Sequence, residues 1–296
     1  MDVRDIRSGD VLLFSAHKSN WVTRVIAKLT NAPVSHAAMC YQIPTKLVEE
    51  IAPKVSVSEA TLRFVDHTVH VLRLNQPAVD MRRLDNISKS YLNKLPPYTE
   101  ANLFFIAQLL IYKKFTPSSL VQDIAIKIFK KLTAMMIYQL KEKLYPLKLP
   151  MSSAQFVYEC YQEAGKNYHL HFRETMAFSH SKRSNILQHA FVHSAEIELL
   201  HSQQGHLDDE TLAMQLYRAL SDEELNTGGT VSKELLDSVH EFAKAIHGLA
   251  KHSSYELAEA RQGIAILEAQ SSSFITPGDL LQHCSNLQPI GAINIK

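Results

Sequence analysis

The order of the short strand-forming and helix-forming segments near the start of the chain constrains its fold more than any other feature of the sequence. Residues 20–30 carry apolar side chains at helical spacing, and Asn31-Ala32-Pro33 breaks that pattern. The predicted strands are residues 9–14, 35–42, 55–60 and 69–74. One helix among several short strands favours a small, mostly antiparallel sheet.

The composition changes at Pro96-Pro97, and most of the chain beyond this point has a helical pattern. Residues 98–145 are rich in lysine, and residues 152–165 form a further predicted helix that stops at Gly165. Residues 194–272 are again helical in pattern, with a break at Gly228-Gly229. The predicted fold class is therefore α+β.

Charge, cysteine content and hydropathy exclude several classes of protein. The formal net charge of +1 lacks the basic excess of a nucleic-acid-binding domain, so we expect no nucleic-acid partner. Three widely spaced cysteines without a CxxC pair do not indicate a zinc knuckle. The start of the chain does not resemble a secretory signal, and the apolar run 103–112 is about half as long as a bilayer span. We expect a cytoplasmic protein, or one exported without a classical signal.

Polar side chains on two neighbouring predicted strands suggest a catalytic pair. Side chains alternate along a strand, so His36 shares a face of segment 35–42 with Ala38 and Cys40. In the next predicted strand, Glu59 ends an otherwise apolar face, where a carboxylate is costly without a partner. Glu59 accepting a hydrogen bond from His36 would fix the imidazole tautomer and leave the other ring nitrogen free as a base.

The helix predicted to begin at Ser152-Ser153 offers a place for a nucleophile. The helix dipole favours an anion there, and the free N–H groups of the first turn can stabilise an oxyanion. The ordinary alternatives are that either serine simply caps the helix, that His36 is a satisfied histidine of the sheet and that Glu59 faces solvent.

Four segments together resemble one family of enzymes. They are GDVLLFSAHKSNWVTRVIAKLTNAPVSHAAMCY (9–41), SEAT (58–61), SAQFVYECYQEAG (153–165) and ITPGDL (275–280). They are similar to the YiiX-like, permuted papain-fold hydrolases, relatives of the bacterial NlpC-type peptidases and of lecithin retinol acyltransferase.

The resemblance implies a catalytic histidine at His36, a third polar residue at Glu59 and the nucleophile at Ser153. It also implies a circularly permuted papain-like core, in which a small antiparallel sheet packs on the nucleophile helix. The implied core comprises residues 1–97, 148–168 and 273–296. Residues 98–147 would form a basic helical insertion and residues 169–272 a second helical insertion.

The family nucleophile is cysteine, whereas this chain has serine at position 153. A site built for a thiolate–imidazolium pair should activate a serine hydroxyl poorly, because the hydroxyl is far less acidic. Three accounts stay open, in order of preference: deliberate replacement of cysteine by serine, a natural protein without catalysis, and a serine that acts as the nucleophile itself.

The implied activity is that of a cysteine-type amidase or peptidase working through an acyl-enzyme, without metal or cofactor. Its substrate would be a peptide, an isopeptide or an acyl lipid. The alternatives are a lipid-directed acyl hydrolase or acyltransferase, and a catalytically dead protein-binding module.

The basic segment 98–148 is a candidate membrane-surface element, although a solvated helical cap is the simpler interpretation. The segment 169–272 is a candidate docking site for a protein partner. Large helical insertions are compatible with a bacterial effector delivered into a host cell.

Overall fold

The computed structural model is an α+β protein, as the sequence predicts. The described residues are 1–42, 45–51, 54–75, 80–92, 101–115, 117–142, 151–175, 184–193, 208–222, 230–271 and 273–295. The predicted breaks at Pro96-Pro97 and Gly228-Gly229, and the predicted helical residues 194–207, lie outside these ranges.

Six strands form one sheet in which every neighbouring pair is antiparallel. Their bounds are Val11–Ser15 (β1), Val34–Cys40 (β2), Lys46–Ile51 (β3), Lys54–Glu59 (β4), Thr68–Leu74 (β5) and Leu287–Asn294 (β6). The order across the sheet is β4-β3-β2-β1-β5-β6. The strands β1, β2, β4 and β5 overlap the four predicted ones, whereas β3 and β6 were not predicted from the sequence.

Eleven helices lie within the described residues. Their bounds are Trp21–Thr30 (α1), Ala60–Phe64 (α2), Arg82–Tyr91 (α3), Ala101–Tyr112 (α4), Ser119–Lys141 (α5), Ser153–Glu163 (α6), Ile186–Val192 (α7), Asp209–Asp222 (α8), Lys233–Lys251 (α9), Ala260–Ser271 (α10) and Pro277–Gln282 (α11).

The chain divides into two compact units. One comprises Met1–Ala101, Met151–Thr175 and Ile275–Lys296, and it contains the sheet; the other comprises Asn102–Pro150 and Met176–Phe274 and is helical. Within the described residues, the two predicted insertions thus contribute to the same helical unit.

Helix α6 packs on one face of the sheet, against β2 and β3. Its apolar side chains share a core with Ala37, Met39 and Val48. The buried Tyr161 hydroxyl donates a hydrogen bond to the carbonyl oxygen of Gly9, at the turn before β1. These contacts fix the start of α6 beside the middle of the sheet.

The opposite face of the sheet is partly covered by the short helix α2. Ala60 and Phe64 of α2 pack on Leu12, Phe14 and Ala38. Because successive side chains of a strand point to opposite faces, the neighbours His36 and Ala37 belong to different layers. His36 lies on the α2 face, where its ring makes an edge contact with Phe14 at 5.7 Å between centroids.

The helical unit is built around α9, which packs against α5 and α10. Phe242 of α9 contacts Phe104 and Phe129, with ring centroids 5.7 and 5.4 Å apart. The apolar run 103–112 of α4 is buried. Among the described residues, no helix has both the length and the apolar character needed to cross a membrane.

Candidate active site

A fully buried carboxylate holds the imidazole of His36. The Nε2 atom of His36 lies 2.7 Å from the Oε2 atom of Glu49 on β3, and the Glu49 side chain has no exposed surface. Arg63 of α2 donates to both oxygens of the same carboxylate, from Nε to Oε1 at 2.9 Å and from Nη2 to Oε2 at 3.0 Å. Glu49 is therefore a buried charge that is compensated by His36 from β2 and by Arg63 from α2.

The charge on Glu49 determines the tautomer of His36. Burial alone would raise the pKa of Glu49, but the hydrogen bonds and positive charges of His36 and Arg63 outweigh it and lower the pKa to about 2. An ionised carboxylate only accepts hydrogen bonds, so Nε2 of His36 must carry the proton that points at Oε2. The lone pair of neutral His36 is consequently on Nδ1, the ring nitrogen nearer to the backbone.

Glu59, which the sequence analysis placed beside His36, lies elsewhere in the sheet. It sits at the end of β4, in register with Lys46, and its carboxylate pairs with the Lys46 ammonium group. Lys46 is three residues along β3 from Glu49, a separation of about 10 Å in a strand. The physical reason is the unpredicted strand β3, which lies between β2 and β4 and so supplies the carboxylate nearest to His36.

Ser152 and Ser153 have different roles at the start of α6. Ser152 is the N-cap residue, and its Oγ accepts the Gln155 N–H at 3.1 Å. Ser153 is the first helical residue, is 6% exposed, and turns its hydroxyl toward the sheet. Its Oγ accepts the backbone N–H of Ala37 at 3.2 Å, so the cap function does not account for Ser153.

The hydroxyl of Ser153 replaces a partner of the sheet ladder. Pairing between β2 and β3 runs from Cys40 opposite Leu47 to Ala38 opposite Glu49, and the Tyr41 N–H donates to the Lys46 carbonyl. Extending this antiparallel alternation would pair the Ala37 N–H with the Glu50 carbonyl. The recorded pairing stops one residue earlier, at Ala38 and Glu49, and Ser153 Oγ accepts the Ala37 N–H in place of the Glu50 carbonyl.

Ser153 contacts the backbone beside His36 and not its ring, which lies on the opposite, α2 face of the sheet. The N–H that reaches Ser153 Oγ belongs to the peptide bond between His36 and Ala37. Within the described residues, no direct hydrogen bond joins the Ser153 hydroxyl to the imidazole. Hydrogen bonds of catalytic groups are often long before substrate binds, and they tighten in the complex.

The first turn of α6 has donors beside Ser153 that lack an acceptor within the helix. Ser152 Oγ binds the Gln155 N–H, and the carbonyl of Ser152 accepts the Phe156 N–H. The N–H groups of Ser153 and Ala154 have no acceptor within the helix, because they precede its first complete hydrogen-bonded turn. Such donors can stabilise negative charge that develops on an oxygen near Ser153.

A further histidine, His67, lies near His36 on the α2 face and contacts His17. His67 Nδ1 donates to the Ser15 carbonyl at 2.8 Å, and its ring lies 5.7 Å from Phe14 and 5.4 Å from His17. Burial lowers the pKa of His67, and the nearby positive charges reinforce the effect despite the hydrogen bond to Ser15. No group of His, Cys, Asp and Glu suited to holding a metal ion occurs in the described ranges.

The sequence analysis missed Glu49 and Arg63. The available signal was the stretch LVEEI at 47–51, in which two adjacent acids interrupt an apolar run. No protein-family model matches the chain, and no curated protein is significantly similar to it.

Proposed function

We propose that the chain has the fold of a permuted papain-like hydrolase and that its site is built for acyl transfer, with residue 153 in the position of the nucleophile. The observation that carries this proposal is the arrangement of His36: a buried carboxylate on one ring nitrogen, and the residue 153 side chain at the adjoining peptide N–H. The roles are those of nucleophile, base and orienting acid.

The proposed reaction requires the His36 ring, which lies on the α2 face of the sheet, to reach residue 153 at the point where the pairing of β2 and β3 stops. Nδ1 of His36 then takes the proton from this nucleophile, whose lone pair forms a bond to the carbonyl carbon of an amide or ester. The carbonyl π electrons move onto its oxygen, which the N–H groups at the start of α6 stabilise. When the carbonyl re-forms, the bond to the leaving group breaks, and the imidazolium returns the proton to that group. A water molecule then releases the acyl group in the same way and regenerates His36.

The Glu49–Arg63 pair keeps His36 in the tautomer that this reaction needs. Glu49 also stabilises the imidazolium that forms transiently, without taking its proton. The weak point of the chemistry is the nucleophile, because a serine hydroxyl is much less acidic than the thiol for which such sites are suited. We therefore propose that the chain as it stands turns over slowly or only binds, and that a thiol at this position is reactive.

The test is the variant Ser153→Cys, with Ser152→Cys as the matched control one residue away. The measurement is the pH-dependent rate of thiol alkylation by iodoacetamide, resolved by peptide mass spectrometry so that the native cysteines are counted separately. We expect fast alkylation at position 153 below the ordinary pKa of a thiol, slow alkylation at position 152, and loss of the fast reaction on adding His36→Ala. Equal rates at the two positions, or a rate at position 153 that does not depend on His36, would refute the proposal.

A binding module without catalysis is the second candidate. It is favoured by serine at position 153 and by the lack of a direct hydrogen bond between Ser153 and His36 in the described chain. An unreactive thiol in Ser153→Cys, in a protein that retains its fold, would support this candidate. The substrate classes that the resemblance implies, namely peptides, isopeptides and acyl lipids, remain proposals within the hydrolase function.

A further inference from the structure

Glu50, the neighbour of Glu49, is a second buried acid on β3, and the proposed acyl transfer gives it no role. Its residue surface is 8% exposed. Unlike Glu49, it has no hydrogen-bond or ion-pair partner among the described residues. A carboxyl group with so little access to water loses much of its hydration, so its retention there needs an explanation.

The register of the sheet places Glu50 beside residue 153. Glu50 is the residue that would face Ala37 if the β2–β3 ladder continued past Glu49. Side chains at facing positions of two antiparallel strands project on the same side of the sheet. The Ala37 side chain packs in the same core as Ala154 of α6. Glu50 therefore projects on the face of the sheet against which α6 packs.

The side chains around this point are small. Ala37 and Ala154 present only methyl groups there, and Ser153 Oγ accepts the Ala37 N–H where the pairing of β2 and β3 stops. We propose that the carboxyl group of Glu50, in its protonated form, donates a hydrogen bond to the carbonyl oxygen of an acyl group attached to or attacked by residue 153. This inference rests on the proposed function and adds an oxyanion donor to it.

The protonation state of Glu50 agrees with this role. Burial raises the pKa of Glu50 to about 8, and the negative charge of Glu49 adds to the effect. The other titratable and charged groups on the elements packed around Glu50 are His36 on β2, Lys46 on β3, Lys54 and Glu59 on β4, and Glu159 and Glu163 on α6. A neutral carboxylic acid donates a hydrogen bond, whereas the ionised group only accepts.

The test compares two reactions of the Ser153→Cys protein. In acetylation by p-nitrophenyl acetate, the sulfur bonds to the carbonyl carbon, p-nitrophenolate leaves, and the thiol proton passes to His36, so an oxyanion forms. In alkylation by iodoacetamide, the sulfur displaces iodide at a saturated carbon, and no oxyanion forms. Only the first reaction should therefore depend on Glu50.

We expect Glu50→Leu to slow acetylation by about 100-fold, the usual effect of losing one oxyanion donor, and to leave alkylation unchanged. Glu50→Gln should retain acetylation, because its amide also donates, and should lose the fall in rate that the parent shows above pH 8. Glu59→Gln, an exposed change in the same sheet, is the control and should match the parent in both reactions.

Equal slowing of both reactions by Glu50→Leu would identify a structural role and overturn the inference, as would unchanged acetylation. An identical pH profile for the parent and Glu50→Gln would also overturn it. If neither reagent reacts in a His36-dependent manner while Glu50 is intact, the proposed function itself fails, which is a distinguishable result.

Discussion

His36 and Glu49 form a 2.7 Å hydrogen bond between neighbouring central strands, and the same carboxylate accepts two further hydrogen bonds from Arg63. This arrangement differs from a surface ion pair, because Glu49 is fully buried and its charge is compensated by two partners. Removing Arg63 would leave Oε1 of this buried carboxylate without its hydrogen bond, whereas removing His36 would leave Oε2 bound to Arg63 alone. The arrangement therefore affects both stability and reactivity.

The first prediction separates Glu49 from Glu59. In the Ser153→Cys protein, Glu49→Gln should lower the His36-dependent rate of thiol acylation by about 10²- to 10⁴-fold, because the imidazole loses its fixed tautomer and the charge that stabilises its protonated form. Glu59→Gln changes an exposed pair with Lys46 and should leave the rate unchanged. Stopped-flow acylation measures both, and a larger effect at Glu59 would contradict the assignment.

The second prediction concerns the pH dependence of stability. The pKa of Glu50 is raised to about 8 in the folded protein from an ordinary value of 4.5. Between pH 4.5 and pH 8, Glu50 is ionised in the unfolded chain but protonated in the folded protein. The contribution of Glu50 to the free energy of unfolding is therefore fully present below pH 4.5 and is lost as the pH rises toward 8. Glu50→Gln cannot ionise and should avoid this loss.

We therefore expect Glu50→Gln to exceed the parent in free energy of unfolding by roughly 1–3 kcal/mol at pH 8, with little difference at pH 4. Urea denaturation followed by circular dichroism at several pH values measures the difference. A gap that stays constant from pH 4 to pH 8 would show that the acid is not protonated in the folded protein.

The third prediction concerns the crossing of α9 and α10 in the helical unit. A Cβ atom added at Gly263 of α10 would lie 1.7 Å from the Ala243 carbonyl oxygen of α9, a clash with backbone that no side-chain movement relieves. Gly263→Ala should lower the free energy of unfolding by about 3 kcal/mol or more. Gly248→Ala is the control, because the closest atom to the added methyl group would be the end of the flexible Leu140 side chain.

Denaturant titration monitored by the helical circular dichroism signal measures this effect. Gly248→Ala should stay within about 1 kcal/mol of the parent, since the gain in helix propensity offsets a small side-chain movement. Similar decreases in the free energy of unfolding for Gly263→Ala and Gly248→Ala would contradict a specific requirement for glycine at the crossing of α9 and α10.

The parts of the site that the sequence could predict are those with local signals. His36 stands in a short, mostly apolar segment that follows the break at Asn31-Ala32-Pro33, and Ser153 stands at the start of an amphipathic helix that ends near Gly165. Both signals are set by neighbours within a few residues. The α+β fold class follows from the same local patterns.

Glu49 could not be assigned by the same reasoning, because its role depends on a strand that the pattern does not reveal. The segment Lys46–Ile51 contains three charged residues, and the burial of Glu49 is tolerated because His36 and Arg63 compensate its charge. Because the partners that allow Glu49 to be buried are distant in the sequence, its burial produces no apolar periodicity that could be recognised there. A prediction that lacks β3 makes β4 the neighbour of β2 and therefore assigns Glu59, instead of Glu49, as the partner of His36.

The strand β6 pairs with β5 along its whole length, although more than 200 residues separate the two in the chain. On the ribosome, β5 thus emerges long before its neighbour, and one of its edges has no strand beside it while the helical unit is being synthesised. Closing so large a loop is slow compared with forming local helices. We expect the nascent chain to hold the helical unit in folded form first, with the sheet completed only after β6 has left the exit tunnel.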